Sequence, residues 1–287
     1  SGIKGSSVEQ GNFPDKGEKY SAVQIRLEKL FTASFAETIH FYGGRSFYFN
    51  TSYISELDGI LRDYAAAGTQ VFLTLTVSKS DNESLNRYLI HPQADLDSGA
   101  EYYALNTETA DGILYLRAAC DFLCSKYCAG GEIPSACGFV LGQKIENAEK
   151  FYNCGSLSLG ELAKSLSTAM HTIRSAVMLR CPDTDIYISL GSDWNNGISP
   201  DQTGIFDSSS LFSALNCAIL DEGDFGYGIA YDPYSDNPNE LSFYDTPFDI
   251  FSSTFDAKSI TMANIEMLIS FIGENAFRYD GKTRNLI

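Results

Sequence analysis

Short apolar runs alternate with amphipathic segments along most of the 287 residues. The runs are rich in β-branched and aromatic side chains, which is typical of strands buried on both faces, and they predict strands at 3–9, 21–27, 70–77, 138–141, 185–190 and 227–230. The segments between them repeat apolar residues at helical spacing and predict helices at 53–67, 109–128, 159–179, 208–220 and 259–272. This order predicts strand–helix units around a parallel sheet, as in a (β/α)8 TIM barrel.

One segment breaks the alternation. The aromatic runs His40–Tyr42 and Ser46–Asn50 flank the pair Gly43–Gly44. Two such runs joined by a glycine pair are typical of a tight antiparallel turn. We therefore predict a β-hairpin insertion at about residues 38–50, which decorates the barrel without building it.

Polar side chains follow several predicted strands at the point where each one ends. Function collects where the carboxyl ends of barrel strands meet the loops. For one such segment alone, we favour the interpretation that a core strand runs into a solvated loop. The recurrence of the pattern favours a ligand-binding mouth, whose candidate residues are Arg26, Gln143, Lys144, Glu146, Asn147, Asp193, Trp194, Asn195, Asp232 and Tyr234.

The composition narrows the classes of partner. The formal net charge of −17, from 37 acidic and 20 basic residues, repels phosphate backbones and anionic lipids. We therefore expect neither nucleic acid nor membrane as a partner. The longest apolar runs, 70–77 and 137–141, are far shorter than the ~20 residues that span a bilayer. The length suits a single barrel domain over residues 1–287.

The seven cysteines are an odd number, which excludes a complete disulfide framework. Cys120, Cys124 and Cys128 recur at intervals of four and share one face of a predicted helix. A metal site would need histidine or further cysteine at matching spacing, and the three histidines are distant in sequence. We interpret these cysteines as small core residues and expect no metal and no cofactor.

The last residues, Arg284–Ile287, look like the start of a seventh strand. A parallel strand with an unpaired edge leaves backbone donors and acceptors without partners. We therefore expect strands seven and eight to lie beyond this sequence or to come from a second chain that completes the barrel.

Several pieces of the sequence together resemble a bacterial family of uncharacterised (β/α)8 barrels related to clan A of the retaining glycoside hydrolases. They follow the family's order and are IKG, YGGRSFYFN, YALNTETADGILYLRAACDFLCSKY, GFVLGQKIEN, IYISLGSDWN and GYGIAYDPY. The resemblance covers essentially the whole chain. It implies an oligosaccharide or polysaccharide ligand and an extracellular or cell-envelope setting, although no signal peptide is recognisable.

The resemblance also implies where catalytic groups belong. In such families the fourth strand ends in Gly-Asn-Glu, with glutamate as acid/base, and a second glutamate after the seventh strand is the nucleophile. At the end of the fourth strand this chain has Gly142, Gln143 and Lys144. The sequence reaches Ile287 before a glutamate follows the predicted seventh strand. An unperturbed lysine has a pKa near ~10.4, which suits a general acid poorly. Glu146 is the better chemical candidate, but the interpretation that we favour is structural, namely an ion pair between Lys144 and Glu146 at the rim of the pocket.

Other residues carry two interpretations each. The sixth strand of the family ends in His-Pro-Tyr, and here Asp232 replaces the histidine, either as a pocket carboxylate or as a turn residue. Trp194 is either a stacking platform for sugar or a residue packed on its own loop.

Three functions follow from these residues. The first is a retaining glycoside hydrolase, and the second is a glycan-binding pseudoenzyme marked by Lys144. The third is an interaction domain without sugar specificity.

Overall fold

The computed structural model describes residues 5–8, 19–33, 37–199, 201–234 and 257–287, with the backbone alone at 5–8. The strands are β1 (Gly5–Val8), β2 (Tyr20–Arg26), β3 (Thr38–Tyr42), β4 (Arg45–Phe49), β5 (Gln70–Thr76), β6 (Ala136–Leu141), β7 (Asp185–Gly191) and β8 (Gly228–Asp232). The helices are α1 (Leu27–Leu30), α2 (Thr51–Ala67), α3 (Glu83–Leu89), α4 (Ala110–Tyr127), α5 (Ala148–Phe151), α6 (Leu159–Met178), α7 (Ser208–Glu222) and α8 (Glu266–Ile272).

Six strands form one parallel sheet in the order β1-β2-β5-β6-β7-β8. The predicted strand–helix alternation and parallel sheet are therefore confirmed. Within the described residues no pairing joins the two edges of this sheet, so the barrel is open there. Residues 285–287 run parallel to β8, with the amide of Ile287 donating to the carbonyl of Ile229 at 3.0 Å. These residues extend the sheet at the position that the sequence predicts for a seventh strand.

The hairpin forms as predicted from β3 and β4, which pair antiparallel. It is held against α4 by Phe49 stacked on Phe122, with ring centroids 4.2 Å apart. His40 of β3 also contacts the carboxylate of Asp121 through Nε2 at 2.8 Å. The hairpin therefore lies outside the sheet, beside a helix.

Local sequence signals explain several helix ends. Asn50 caps α2 by accepting from the amide of Tyr53, and Gly68 ends it in the left-handed conformation at φ +73°. At α6 the side chain of Ser158 and that of Glu161 form a reciprocal capping box. These residues therefore set where α2 and α6 begin and where α2 ends.

Two helix predictions need correction. Residues 83–89, predicted as loop, form α3, which Asn82 caps with two hydrogen bonds. Helix α8 begins at Glu266, not at Ser259 as predicted. Asn264 explains the later start, because its side chain accepts from the amide of Thr261 and donates to the carbonyl of Ser259. This local turn occupies the backbone groups that a helix would use.

The sheet separates two apolar regions. The larger lies between the sheet and the helices, where Ile25, Leu73, Phe139 and Ile188 are completely buried. The opposite side, here called the inner face, carries the small cluster of Phe72, Val140 and Tyr187, with Ala22 and Ala230 against it. No helix of the described residues is long and apolar enough to cross a membrane.

Candidate functional site

The inner face becomes polar toward the carboxyl ends of the strands. Above Ala22 and Phe72 come Gln24 beside Thr74, and then Arg26 beside Thr76. These pairs share the inner face because side chains alternate along a strand. On the inner face, polar side chains at the carboxyl ends of the strands therefore lie above apolar side chains. We call this carboxyl end of the inner face the mouth; apolar walls with a few polar groups are typical of ligand sites.

Gln143 and Arg26 lie on one side of this mouth. The Nε2 atom of Gln24 donates to Oε1 of Gln143 at 3.4 Å. Arg26 pairs through Nε with Glu28 at 2.7 Å, and the second oxygen of Glu28 accepts from the amide of Ser78. Both predicted binding residues are half-buried, so each retains surface for a ligand.

Lys144 sits in the turn that follows β6 and has a left-handed backbone, at φ +40°. Its amide donates to Oγ of Ser189 at 3.1 Å. Its Nζ atom lies 3.3 Å from Oδ2 of Asp232 and donates to the carbonyl of Tyr234 at 3.0 Å. The side chain thus bridges from β6 to the end of β8.

The expected ion pair between Lys144 and Glu146 is therefore wrong. Strand β6 ends at Leu141, so the alternation assumed for these two residues does not continue to them. The left-handed turn directs the amine of Lys144 toward Asp232 instead. Asp232 also forms the local turn that one interpretation from sequence predicted, because its other oxygen accepts from the amide of Tyr234.

Glu146 is buried, with 3% of its surface exposed, beside the end of β7. Its carboxylate accepts a hydrogen bond from the amide of Gly191. A Cβ atom at Gly191 would overlap Oε1 of Glu146, so glycine leaves the space that the carboxyl group occupies. Among the residues that the structure describes, the buried Oε2 atom of Glu146 has no hydrogen-bond partner. A buried carboxyl oxygen without a partner is unusual in a folded protein.

Burial raises the pKa of Glu146 from 4.5 to about 8, and the nearby carboxylate of Asp193 adds to this effect. Hydrogen bonds from the backbone amides of Gly191 and of Glu146 itself, and the charge of Lys144, lower the pKa. Desolvation dominates because the charged form loses more hydration than these three interactions restore. At neutral pH the group is therefore mostly protonated and able to donate a proton.

Trp194 requires a correction. Its side chain is completely buried and packs edge-on against Phe271, with ring centroids 5.0 Å apart. A sugar platform needs an exposed aromatic face, and this ring offers none. The neighbouring residues lie nearer the solvent, because Asp193 is exposed and Asn195 and Asn147 are half-buried. Tyr234 is 69% exposed next to Asp232 and supplies the open aromatic surface that Trp194 lacks.

Sequence reasoning missed Thr76, a residue of the mouth. It is buried, and among the described residues its hydroxyl has no hydrogen-bond partner. The alternation of β5 could have identified Thr76, since it shares a face with Thr74. Tyr231 of β8 instead faces the larger core, where it donates to the carbonyl of Ile260 at 2.9 Å. Its pKa is raised by burial and by the charges of Glu146, Asp193 and Asp232.

Among the described residues, Cys124, Cys128 and Cys181 form a group that could hold a metal ion. Cys124 and Cys128 end α4, and Cys181 precedes β7, so the group lies at the amino end of the sheet. The mouth lies at the other end. This group therefore belongs to a separate part of the molecule.

The raised pKa of Glu146 predicts a pH dependence of stability. The protonated group stabilises the folded chain fully below pH 4.5, and this contribution is lost as pH rises through about 8. The side chain of the Glu146→Gln variant is neutral at every pH. The free energy of unfolding of this variant relative to wild type should therefore be larger at about pH 9 than at about pH 4. Urea unfolding at both pH values measures the difference. The exposed neighbour Glu149 supplies the control Glu149→Gln, and an equal pH response of wild type and Glu146→Gln would contradict the assignment.

Solved structures with a similar fold include two hyperthermophilic β-glucosidases. The enzyme from Pyrococcus furiosus is 10% identical with a TM-score of 0.51, covering 91% of this chain and 62% of its own. A β-glucosidase mutant that forms a dodecamer in the crystal is 11% identical with a TM-score of 0.51, covering 91% and 65%. This chain thus spans less than two thirds of either protein. At these identities the likeness shows the fold alone, a glycoside hydrolase-like α/β fold.

A β-mannanase from the blue mussel Mytilus edulis is 14% identical with a TM-score of 0.46, and the match covers 94% of this chain and 75% of the mannanase. No curated protein matches the sequence. A family model described as "Family of unknown function (DUF5722)" matches residues 1–287. The chain therefore belongs to the family DUF5722.

Proposed function

We propose that this chain binds an oligosaccharide or polysaccharide in the mouth at the carboxyl end of the sheet, and acts there as a retaining glycoside hydrolase. The observation that carries the proposal is the buried, mostly protonated carboxyl group of Glu146, whose Oε2 atom has no hydrogen-bond partner within the described part of the chain. The shared fold with β-glucosidases supports the class of ligand. The same end of the fold holds the active sites of TIM-barrel enzymes.

Glu146 is the proposed general acid/base. A retaining hydrolase first protonates the leaving oxygen, and the same residue then removes a proton from the attacking water. A glutamate with its pKa raised to about 8 holds the proton that the first step requires. In this mechanism a second carboxylate forms the covalent glycosyl intermediate.

Four groups are proposed to bind the sugar. Lys144 and Asp232 offer charged hydrogen-bonding groups held in place by their ion pair of 3.3 Å. On the side of the mouth near β2, Gln143 offers an amide and Arg26 offers a guanidinium. Hydroxyl-rich ligands suit such a set because each hydroxyl both donates and accepts. Asn147, Asp193 and Asn195 extend the proposed rim.

A specific observation favours a second function, glycan binding without turnover. Lys144 occupies the position where related hydrolases carry their acid/base, and its amine is bound to Asp232 and to the carbonyl of Tyr234. A lysine so engaged does not donate a proton to a leaving oxygen. In this alternative Glu146 is only a structural remnant of the pocket.

The test is a panel of oligosaccharides and polysaccharides offered to the purified chain, with released reducing ends and thermal stabilisation read in the same wells. Release of product establishes a hydrolase. Stabilisation without product establishes the binding protein. If neither signal appears with any glycan of the panel, the proposed function is overturned in favour of an interaction domain.

Tyr234→Ala is expected to weaken glycan binding about tenfold and to leave thermal stability unchanged. The ring is 69% exposed, so its removal costs little packing, while stacking on a pyranose is lost. Isothermal titration with a ligand from the panel measures the affinity. Phe41→Ala is the matched control, because this ring is 74% exposed on the hairpin, away from the mouth. Equal affinity of Tyr234→Ala and wild type would remove Tyr234 from the proposed site.

A further inference from the structure

Three cysteine thiols meet at the amino end of the sheet, far from the proposed glycan site. Cys124 lies in the last turn of α4, Cys128 ends that helix, and Cys181 follows α6 just before β7. Their Sγ atoms all lie within 4.8 Å of one another. We call these three residues the cysteine cluster. The sequence spacing places Cys124 and Cys128 one turn apart at the end of α4. The fold brings Cys181, which follows α6, next to them.

The separation of the three sulfurs suits a single metal ion. Zinc binds thiolates at about 2.3 Å, and tetrahedral geometry then places two sulfurs about 3.8 Å apart. Thiols within 4.8 Å of one another reach that spacing by moving inward by about an ångström or less. Small side-chain rotations supply a shift of this size, so the backbone need not rearrange.

Other polar groups lie beside the cluster. The thiols of Cys124 and Cys181 and the hydroxyl of Thr184 are within hydrogen-bonding reach of the Cys128 sulfur. The guanidinium of Arg180 also lies near Cys124 and Cys181, and it is paired with the carboxylate of Asp121 at 3.0 Å through Nη2. The cluster therefore lies among polar groups within the larger core.

The surroundings also offer a fourth ligand. Cys120 lies one turn before Cys124 on the same face of α4, is completely buried, and interacts with the charge of Cys128. The carbonyl of Ala129 accepts from the thiol of Cys181 at 3.6 Å. The hydroxyl of Thr184 already contacts Cys128. A structural zinc site needs four ligands, and among these groups the thiol of Cys120 is of the kind that zinc binds.

We propose that the cysteine cluster binds one thiophilic divalent metal ion of the zinc class through Cys124, Cys128 and Cys181. Soft thiolate ligands select such ions over magnesium or calcium. The bound ion would join the end of α4 to the turn between α6 and β7 at the base of the sheet. This role is structural and does not depend on the proposed glycan function.

The experiment titrates the reduced, metal-free full chain with Co²⁺ under anaerobic conditions and follows thiolate-to-cobalt charge-transfer absorption. We expect the band to saturate at one equivalent and to disappear when Zn²⁺ displaces the cobalt. Cys181→Ser should remove the band or weaken affinity by more than about tenfold, since it deletes one of three ligands. No band in the wild-type chain, or an unchanged band in Cys181→Ser, would overturn the proposal.

The matched control is Cys154→Ser, which changes a thiol that is equally buried but lies outside the cluster. This variant should bind cobalt as wild type does, and loss of the band there would contradict the assignment. If Cys181→Ser fails to fold, native mass spectrometry of the wild-type chain decides. After incubation with Zn²⁺ and buffer exchange, the folded chain should carry one zinc ion. A metal-free mass, or an intact mass that shows a disulfide within the cluster, would overturn metal binding.

Discussion

Glu146→Gln is expected to reduce the hydrolysis of any glycoside that the wild-type chain cleaves by about 10²- to 10⁴-fold. The amide keeps the shape of the carboxyl group but donates no catalytic proton. Its effect should fall on kcat more than on KM, because the proton is transferred only in the transition state. Steady-state kinetics on the substrate found in the glycan panel measure both parameters.

Two further measurements decide the role of Glu146. Wild-type activity should fall as pH rises through about 8, because the acid loses its proton there. Glu149→Gln, an exposed neutralisation three residues further along the chain, should leave both rate and pH profile unchanged. Full activity in Glu146→Gln would remove this residue from the mechanism, whereas binding of glycan without turnover in the wild type would favour the pseudoenzyme.

Trp194→Ala is expected to lower the free energy of unfolding by about 3–5 kcal/mol. The indole is completely buried against Phe271, and its deletion leaves a cavity in the larger core. The backbone of Trp194 also anchors two segments, since its amide donates to Lys258 and its carbonyl accepts from Ser209. Urea denaturation monitored by far-ultraviolet circular dichroism measures the loss.

Tyr234→Ala is the counterpart of this variant, because it removes an exposed ring and should leave stability unchanged. Comparing the two variants distinguishes a residue that is needed for packing from one that contacts the ligand. If Trp194→Ala retained full stability and lost glycan affinity, the platform interpretation made from sequence would be restored. The burial of the ring predicts the opposite pattern.

The positions of the elements could largely be predicted from the sequence because each carries a local signal. Helix α2 lies between Asn50 and Gly68, and both residues act through their own backbone and side chain. The hairpin depends on Gly43 and Gly44 and forms at the predicted position. Helix α3 was missed because a seven-residue helix repeats its apolar spacing too few times to be recognised.

The mouth could be predicted only in part. Strand exits identified Lys144, Glu146 and Asp232, because polar residues after an apolar run are visible in the sequence. The partner of Lys144 was predicted incorrectly, since the left-handed turn at this residue breaks the alternation on which the prediction relied. The partner is Asp232, which lies on β8, the last strand in the order of the parallel sheet.

The sequence by itself determined the strand–helix order, the hairpin, the acidic surface and the polar strand ends, because periodicity, turn residues and charge are local or additive properties. The tertiary structure alone decided which side chains meet. It buried Trp194, raised the pKa of Glu146 by desolvation, and joined Cys181 to the two cysteines of α4. Contacts between residues far apart in sequence depend on how elements pack, and solvent exclusion depends on the whole surrounding shell.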